Sequence, residues 1–160
     1  MAQERTVKKI IHDSKLTLKN KYTIKDIKVS KTITKEEFKK NFLISREKIK
    51  AKYKNITSIA FDLLLSYFKT KDNHYLEEMK KNLTVYEFIN SENLNLEVPE
   101  EISSDWLDYV NAANMMKDGV EIMSKADNDS IGALAVVNAF QKIVKNLNVS
   151  LNKINLYLSK

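Results

Sequence analysis

Cysteine is absent from this chain of 160 residues, which excludes disulfides, thiol catalysis and cysteine-ligated metal. Two Gly and one Pro supply little of the turn chemistry that a sheet-rich fold needs. No run approaches the roughly 18 apolar residues of a membrane span, and the opening MAQERTVKKIIHD lacks the apolar core of a signal peptide. A soluble, cytoplasmic protein without a membrane partner is therefore expected. There is no Gly-rich phosphate loop and no nucleophile elbow, so neither nucleotide nor acyl-transfer chemistry has its usual carrier. The only histidines, His12 and His74, have no Ser or Cys partner in a recognisable arrangement. The expectation is a protein that is not an enzyme and takes no cofactor.

What is abundant is lysine, and it is unevenly placed. Residues 1–54 carry a net charge of +11, residues 84–129 carry −9, and residues 130–160 add +4 without one acid. Only Arg5 and Arg46 among the 27 basic residues are Arg. An AT-rich genome also enriches Lys and Asn, but that bias does not explain why the basic residues crowd into the first third.

Apolar spacing organises the rest. In the last stretch Val137, Phe140, Val144, Leu147, Leu151, Ile154 and Leu158 step by three and four, the spacing that keeps one stripe of a helix against a partner. Ile102, Trp106, Tyr109, Ala113, Met116, Val120 and Met123 do the same, with Ala112 and Gly119 small enough for close approach. The short Ala126–Ser130 connection makes these two helices an antiparallel hairpin. Leu76, Met79, Leu83 and Tyr86 mark another helix, capped by Asp72 or Asn73. Ser103 or Ser104 is expected to cap the Trp106 helix.

Thr34-Lys-Glu-Glu37 spells a capping box, with Ile33 and Phe38 placed as a hydrophobic staple. The helix it starts is expected to run toward Phe68, with Leu43–Ser45 as the point where it breaks if it breaks. Arg46 is the one polar residue on its apolar stripe. Residues 5–15 suit a short helix. The alternation Ile27, Val29 suits a strand, in a small hairpin or an extended arm. Leu94, Leu96, Val98 and Pro99 read as an extended crossover.

These features predict an all-α fold, a four-helix bundle-like domain over 34–160 with helices near 35–68, 73–90, 103–125 and 130–158. A basic arm over 1–33 precedes it.

Two acidic groups are weighed as metal sites. Asp127, Asp129 and Gly132 resemble part of a calcium loop, but Ile131 stands where an oxygen ligand is required and Asn138 where a bidentate Glu is, so a capped turn is expected. Glu97, Glu100, Glu101, Asp105 and Asp108 surround Trp106 without lying on one inward stripe, as helix-start acids do. No metal is expected.

The candidate binding residues are Lys15, Lys19, Lys21, Lys25, Lys28, Lys31, Arg46, Lys48, Lys50, Lys52 and Lys54. Lysines neutralise phosphates as point charges and give affinity that tolerates any sequence, so the expected partner is nucleic acid or another polyanion. The alternative is an assembly component whose basic and acidic regions meet an acidic protein surface or further copies of itself. Val149 and Leu156, which share a face opposite part of the last helix's stripe, are its candidate interface. A compact, cysteine-free helical protein of this kind suits an accessory role in a phage or plasmid.

Overall fold

The computed structural model describes residues 18–54, 56 and 58–160. The expected helix at 5–15, together with Lys15 and His12, lies outside these residues. Five α-helices dominate: α1 Lys35–Tyr53, α2 Ala60–Thr70, α3 His74–Asn95, α4 Ser103–Met123 and α5 Ser130–Ser159. Two three-residue strands complete the fold, β1 Lys28–Ser30 and β2 Glu97–Pro99. It is all-α with a small β element.

Local chemistry explains most helix starts. Thr34 Oγ1 accepts from Glu37 N at 3.2 Å, and the Glu37 carboxylate accepts in return from Thr34 N at 2.9 Å. Asp129 caps α5 by accepting from Gly132 N at 2.8 Å, the capped turn expected there. Asn73 occupies the N-cap of α3, while Asp72 Oδ1 accepts from His74 N. The start of α4 differs from expectation. A 3₁₀ turn over Glu100–Ile102 runs directly into it, and Ser103 Oγ donates back to Glu100 O instead of capping.

The expected 35–68 helix is two helices, so the described residues hold five and not four. It stays whole at Leu43–Ser45 and ends at Tyr53, before Asn55-Ile-Thr-Ser58. Residues of the Asn, Thr and Ser types have low helix propensity, which can end a helix without any Gly or Pro to announce the break. Tertiary structure completes it, because buried Asn82 on α3 donates to Ser58 O at 2.9 Å.

Ile27–Val29 is extended, as its alternation implied, but it forms no hairpin. β1 pairs in parallel with β2, bringing Lys28 opposite Glu97 and Val29 opposite Val98. A parallel partner must come from far along the chain, which local turn signals cannot reveal. Ile27 and Val98 are buried and Val29 is exposed.

Two apolar clusters lie at opposite ends of α4. The first joins Leu64 and Tyr67 of α2, Met79 and Tyr86 of α3, Val120 and Met123 of α4, and Ala133 and Val136 of α5. The second surrounds Trp106, whose ring meets those of Phe38 and Phe42 edge-on at 6.0 and 6.2 Å. Ile27, Val98, Ile154 and Leu158 close around them. Met123 thus packs with the start of α5 and Trp106 with its end, which makes α4 and α5 an antiparallel pair.

On α5 the fully buried line is Val136, Ile143, Ser150, Ile154 and Leu158. Val137, Phe140, Val144, Leu147 and Leu151 are half-buried, so over this part of the helix the seam is rotated from the expected stripe, while Ile154 and Leu158 of that stripe are buried as expected. The rotation follows α4's small residues. A Cβ on Gly119 would come within 3.1 Å of Val136 Cγ1, so the glycine is what admits Val136.

Two outcomes test this arrangement. Ile154→Ala, which empties a fully buried site, should lower stability by about 2–5 kcal/mol in urea unfolding. A larger loss for Leu151→Ala than for Ile154→Ala would place the seam wrongly. The second concerns pH. Hydrogen bonds from Thr34 backbone and side chain hold the Glu37 carboxyl below its ordinary value of 4.5. A depressed folded value means that the stabilisation is complete above pH 4.5 and is lost as pH falls through that lower value. Thermal midpoints of Glu37→Gln should accordingly fall less than those of the wild type on acidification below 4.5.

Candidate interaction surfaces

The candidate basic residues do not converge. Lys19, Lys21, Lys25, Lys28, Lys31, Lys48, Lys50, Lys52 and Lys54 are all exposed, whereas Arg46 is half-buried. Lys48, Lys50, Lys52 and Lys54 alternate around α1, because residues two apart on a helix sit about 200° from each other. Lys48 turns toward α3, with Nζ 3.5 Å from Glu92, and Lys52 lies over the Phe88 ring at 5.4 Å. Lys50 and Lys54 occupy the other side, and Lys50 contacts Glu47 on its own helix at 3.8 Å.

The segment before α1 is bound across α4. Asn111 Oδ1 accepts from the backbone N–H groups of Lys21 and Tyr22 at 3.0 and 2.8 Å. Its Nδ2 donates to Tyr22 O at 3.0 Å, so one side chain holds the backbone by both its faces. A 3₁₀ turn over Ile24–Asp26 follows, in which Thr23 and Asp26 bond reciprocally and hold the Asp26 carboxyl below its usual range. From there Lys28 reaches Asn95 Oδ1 at 3.2 Å and Lys31 lies 3.7 Å from Glu100.

Parts of the basic and acidic regions therefore meet within one molecule. Lys28 pairs in register with Glu97, Lys31 faces Glu100 and Lys48 faces Glu92. Lys153 joins Asp105 at 2.8 Å, an interaction that raises the lysine's pKa through the hydrogen bond and charge of that carboxylate. Glu101 acts on Tyr157, whose pKa is raised by burial first and by the carboxylate second. Such exposed pairs add little to stability, but Lys31, Lys48 and Lys153 each meet a carboxylate of the same chain. Among the described residues no group of three or more His, Asp and Glu is placed to hold a metal ion. His74 is exposed at the start of α3, with its ring 5.9 Å from that of Tyr75.

Arg46 has a different place. It donates from Nη1 to Tyr109 Oη and from Nη2 to Asn93 Oδ1, at the junction of α1, α3 and α4. Its guanidinium lies 4.8 Å from the Phe42 ring centre and 5.5 Å from that of Tyr109. Cation–π contact of this kind suits Arg more than Lys. The misfit on the apolar stripe is thus a fixed internal residue. The telling sign was its position on that stripe, while its lysine-rich neighbours pointed to the surface.

The outer side of α5 contrasts with the paired surfaces. Val149 and Leu156 are 47% and 60% exposed, and Ile131 and Leu134 are exposed nearer the start of the helix. Exposed Lys142 and Lys145 lie between them. Val149 also borders a cavity of about 290 Å³ between α4 and α5, with Asn20, Asp108, Met115 and Ile143 in its wall.

No helix among the described residues is long and apolar enough to cross a membrane. Neither a protein-family model, nor a curated protein, nor a solved structure matches this chain.

Arg46→Ala tests the internal assignment. It should cost about 1.5–3 kcal/mol, the range for hydrogen bonds to a charged group. Any affinity for generic DNA, compared at one temperature where both proteins are folded, should be unchanged. Weaker DNA binding with unaltered stability would return Arg46 to the surface.

Proposed function

We propose that this chain is a non-enzymatic assembly component that docks on an acidic protein surface through the outer face of α5. The observation that carries the reading is the composition of that face. α5 has no acidic residue along its length and keeps Val149 and Leu156 in water. Lys142 and Lys145 add positive charge between the apolar positions. Apolar contact supplies affinity at such a surface, while the lysines select and orient an acidic partner. The carboxylates and His74 support a non-catalytic reading, since several serve as helix caps or surface pairs.

A second reading, docking on nucleic acid or another polyanion, draws support from the exposure of nine candidate lysines. Withdrawal of Arg46 favours a mode that touches phosphates and ignores base identity. Pairing of Lys31 and Lys48 with carboxylates of the same chain is the reason it ranks second.

Copurification from native cells separates the two. Wild-type protein should bring down a protein partner, and Val149→Asp with Leu156→Asp should lose it while remaining folded by circular dichroism. Recovery of nucleic acid instead, retained by that double variant and released by salt, would replace the first reading with the second.

A further inference from the structure

The outer face of α1 carries an apolar pair that no other described residue covers. Leu43 and Ile44 are 55% and 48% exposed, on the side opposite Phe38, Phe42 and Ser45, which are buried. Both are adjacent in sequence and both point to solvent, so their exposure is concentrated at the middle of the helix. The charges around them follow an order. Glu36 and Lys40 precede the pair, and Glu47 and Lys50 follow it, all four exposed.

We propose that this face binds a second copy of the same chain, as an antiparallel α1–α1 pair about a two-fold axis passing between Leu43 and Ile44. A helix pair of that symmetry is self-complementary, each position meeting one equally far beyond the axis. Leu43 and Ile44 then meet the same two residues of the partner copy. Lys40 comes level with Glu47 of the partner, and Lys50 comes beside Glu36 of the partner. Two-fold symmetry repeats both contacts, which yields four opposite-charge pairs around an apolar centre. Ala51 faces Glu36 across the same seam, and its small side chain lets the helices approach.

The charge order also selects direction. A parallel pair in register would set Lys40 against Lys40 and Glu47 against Glu47, like charges on each side. The antiparallel arrangement sets opposite signs against each other at these four positions. Inside one molecule Glu47 and Lys50 touch at 3.8 Å, and their side chains are 75% and 68% exposed, so this loose contact yields readily to a partner. One helix pair is smaller than a standard protein interface, so association should be weak and concentration-dependent. The face is separate from the outer side of α5, and the proposal stands whether or not α5 binds a partner.

Sedimentation velocity of the full chain, from low micromolar to near-millimolar concentration, tests it. Wild-type protein should shift from monomer to dimer across that range. Ile44→Asp should remain a monomer throughout. Lys40→Glu and Glu47→Lys, each alone, should weaken association at least about tenfold by placing like charges across the axis. The two together restore opposite signs and should recover wild-type association, while Val149→Asp with Leu156→Asp should leave it unchanged. All five positions are at the surface, and circular dichroism confirms folding of each variant. A wild type that stays monomeric, a dimer indifferent to Ile44→Asp, or a double reversal that fails to recover association would each overturn the proposal.

Discussion

Enclosure of α4 is the constraint on which the other elements depend. Ten of its residues are buried, and they include Asn111 and Asn114 as well as Trp106 and Val120. A helix buried on most sides needs a neighbour for each side, and a buried amide needs partners or it costs about 1–3 kcal/mol. α5 covers one side through the seam around Gly119 and Val136. α3 covers another, with Asn90 donating to Asn114 Oδ1 at 3.3 Å. The segment around Tyr22 covers a third by giving its backbone to Asn111.

Polar residues also divide the interior into two. Along α4, Trp106 to Val110 belong to one cluster and Val120 to Met123 to the other, with Asn111 and Asn114 between them. α3 repeats the order, with Met79 and Tyr86 at one end, Leu96 just past the other, and Asn90 and Asn93 between. Arg46 enters at this level from α1, and Ser150 is buried on α5. Among the described residues, Arg46 Nε, Asn90 Oδ1 and Asn93 Nδ2 have no protein hydrogen-bond partner in this layer. Such a layer does little for stability and more for register. Sliding α3 by one turn along α4 would bring these groups against apolar side chains, a cost that the observed register avoids.

Charge asymmetry along the chain is partly cancelled by folding. Lys31 lies 3.7 Å from Glu100 and Lys48 3.5 Å from Glu92, while β1 and β2 set the backbone of Lys28 in register with that of Glu97. Exposed apolar side chains remain on the outer faces of α1 and α5, where they share the solvent side with charges. Those faces differ in kind. α1 alternates both signs around Leu43 and Ile44, which suits a copy of itself, whereas α5 carries only positive charge, which suits an acidic partner.

By itself, the sequence determined that helix dominates, the Thr34–Glu37 box, the capped turn at Asp129 and the antiparallel pairing of α4 with α5. Each depends on residues within a few positions of one another, or on a connection too short to allow anything else. Val149 and Leu156 were legible as surface residues by the same periodicity. Only the tertiary structure decided the parallel pairing of β1 with β2, the break before Ser58, the rotation of the α5 seam and the interior place of Arg46. Those depend on partners far along the chain, Val98 for Val29, Asn82 for Ser58, Gly119 for Val136, and Asn93 with Tyr109 for Arg46. Local spacing sets which face of an element is apolar. It carries no record of which distant side chain arrives to meet it.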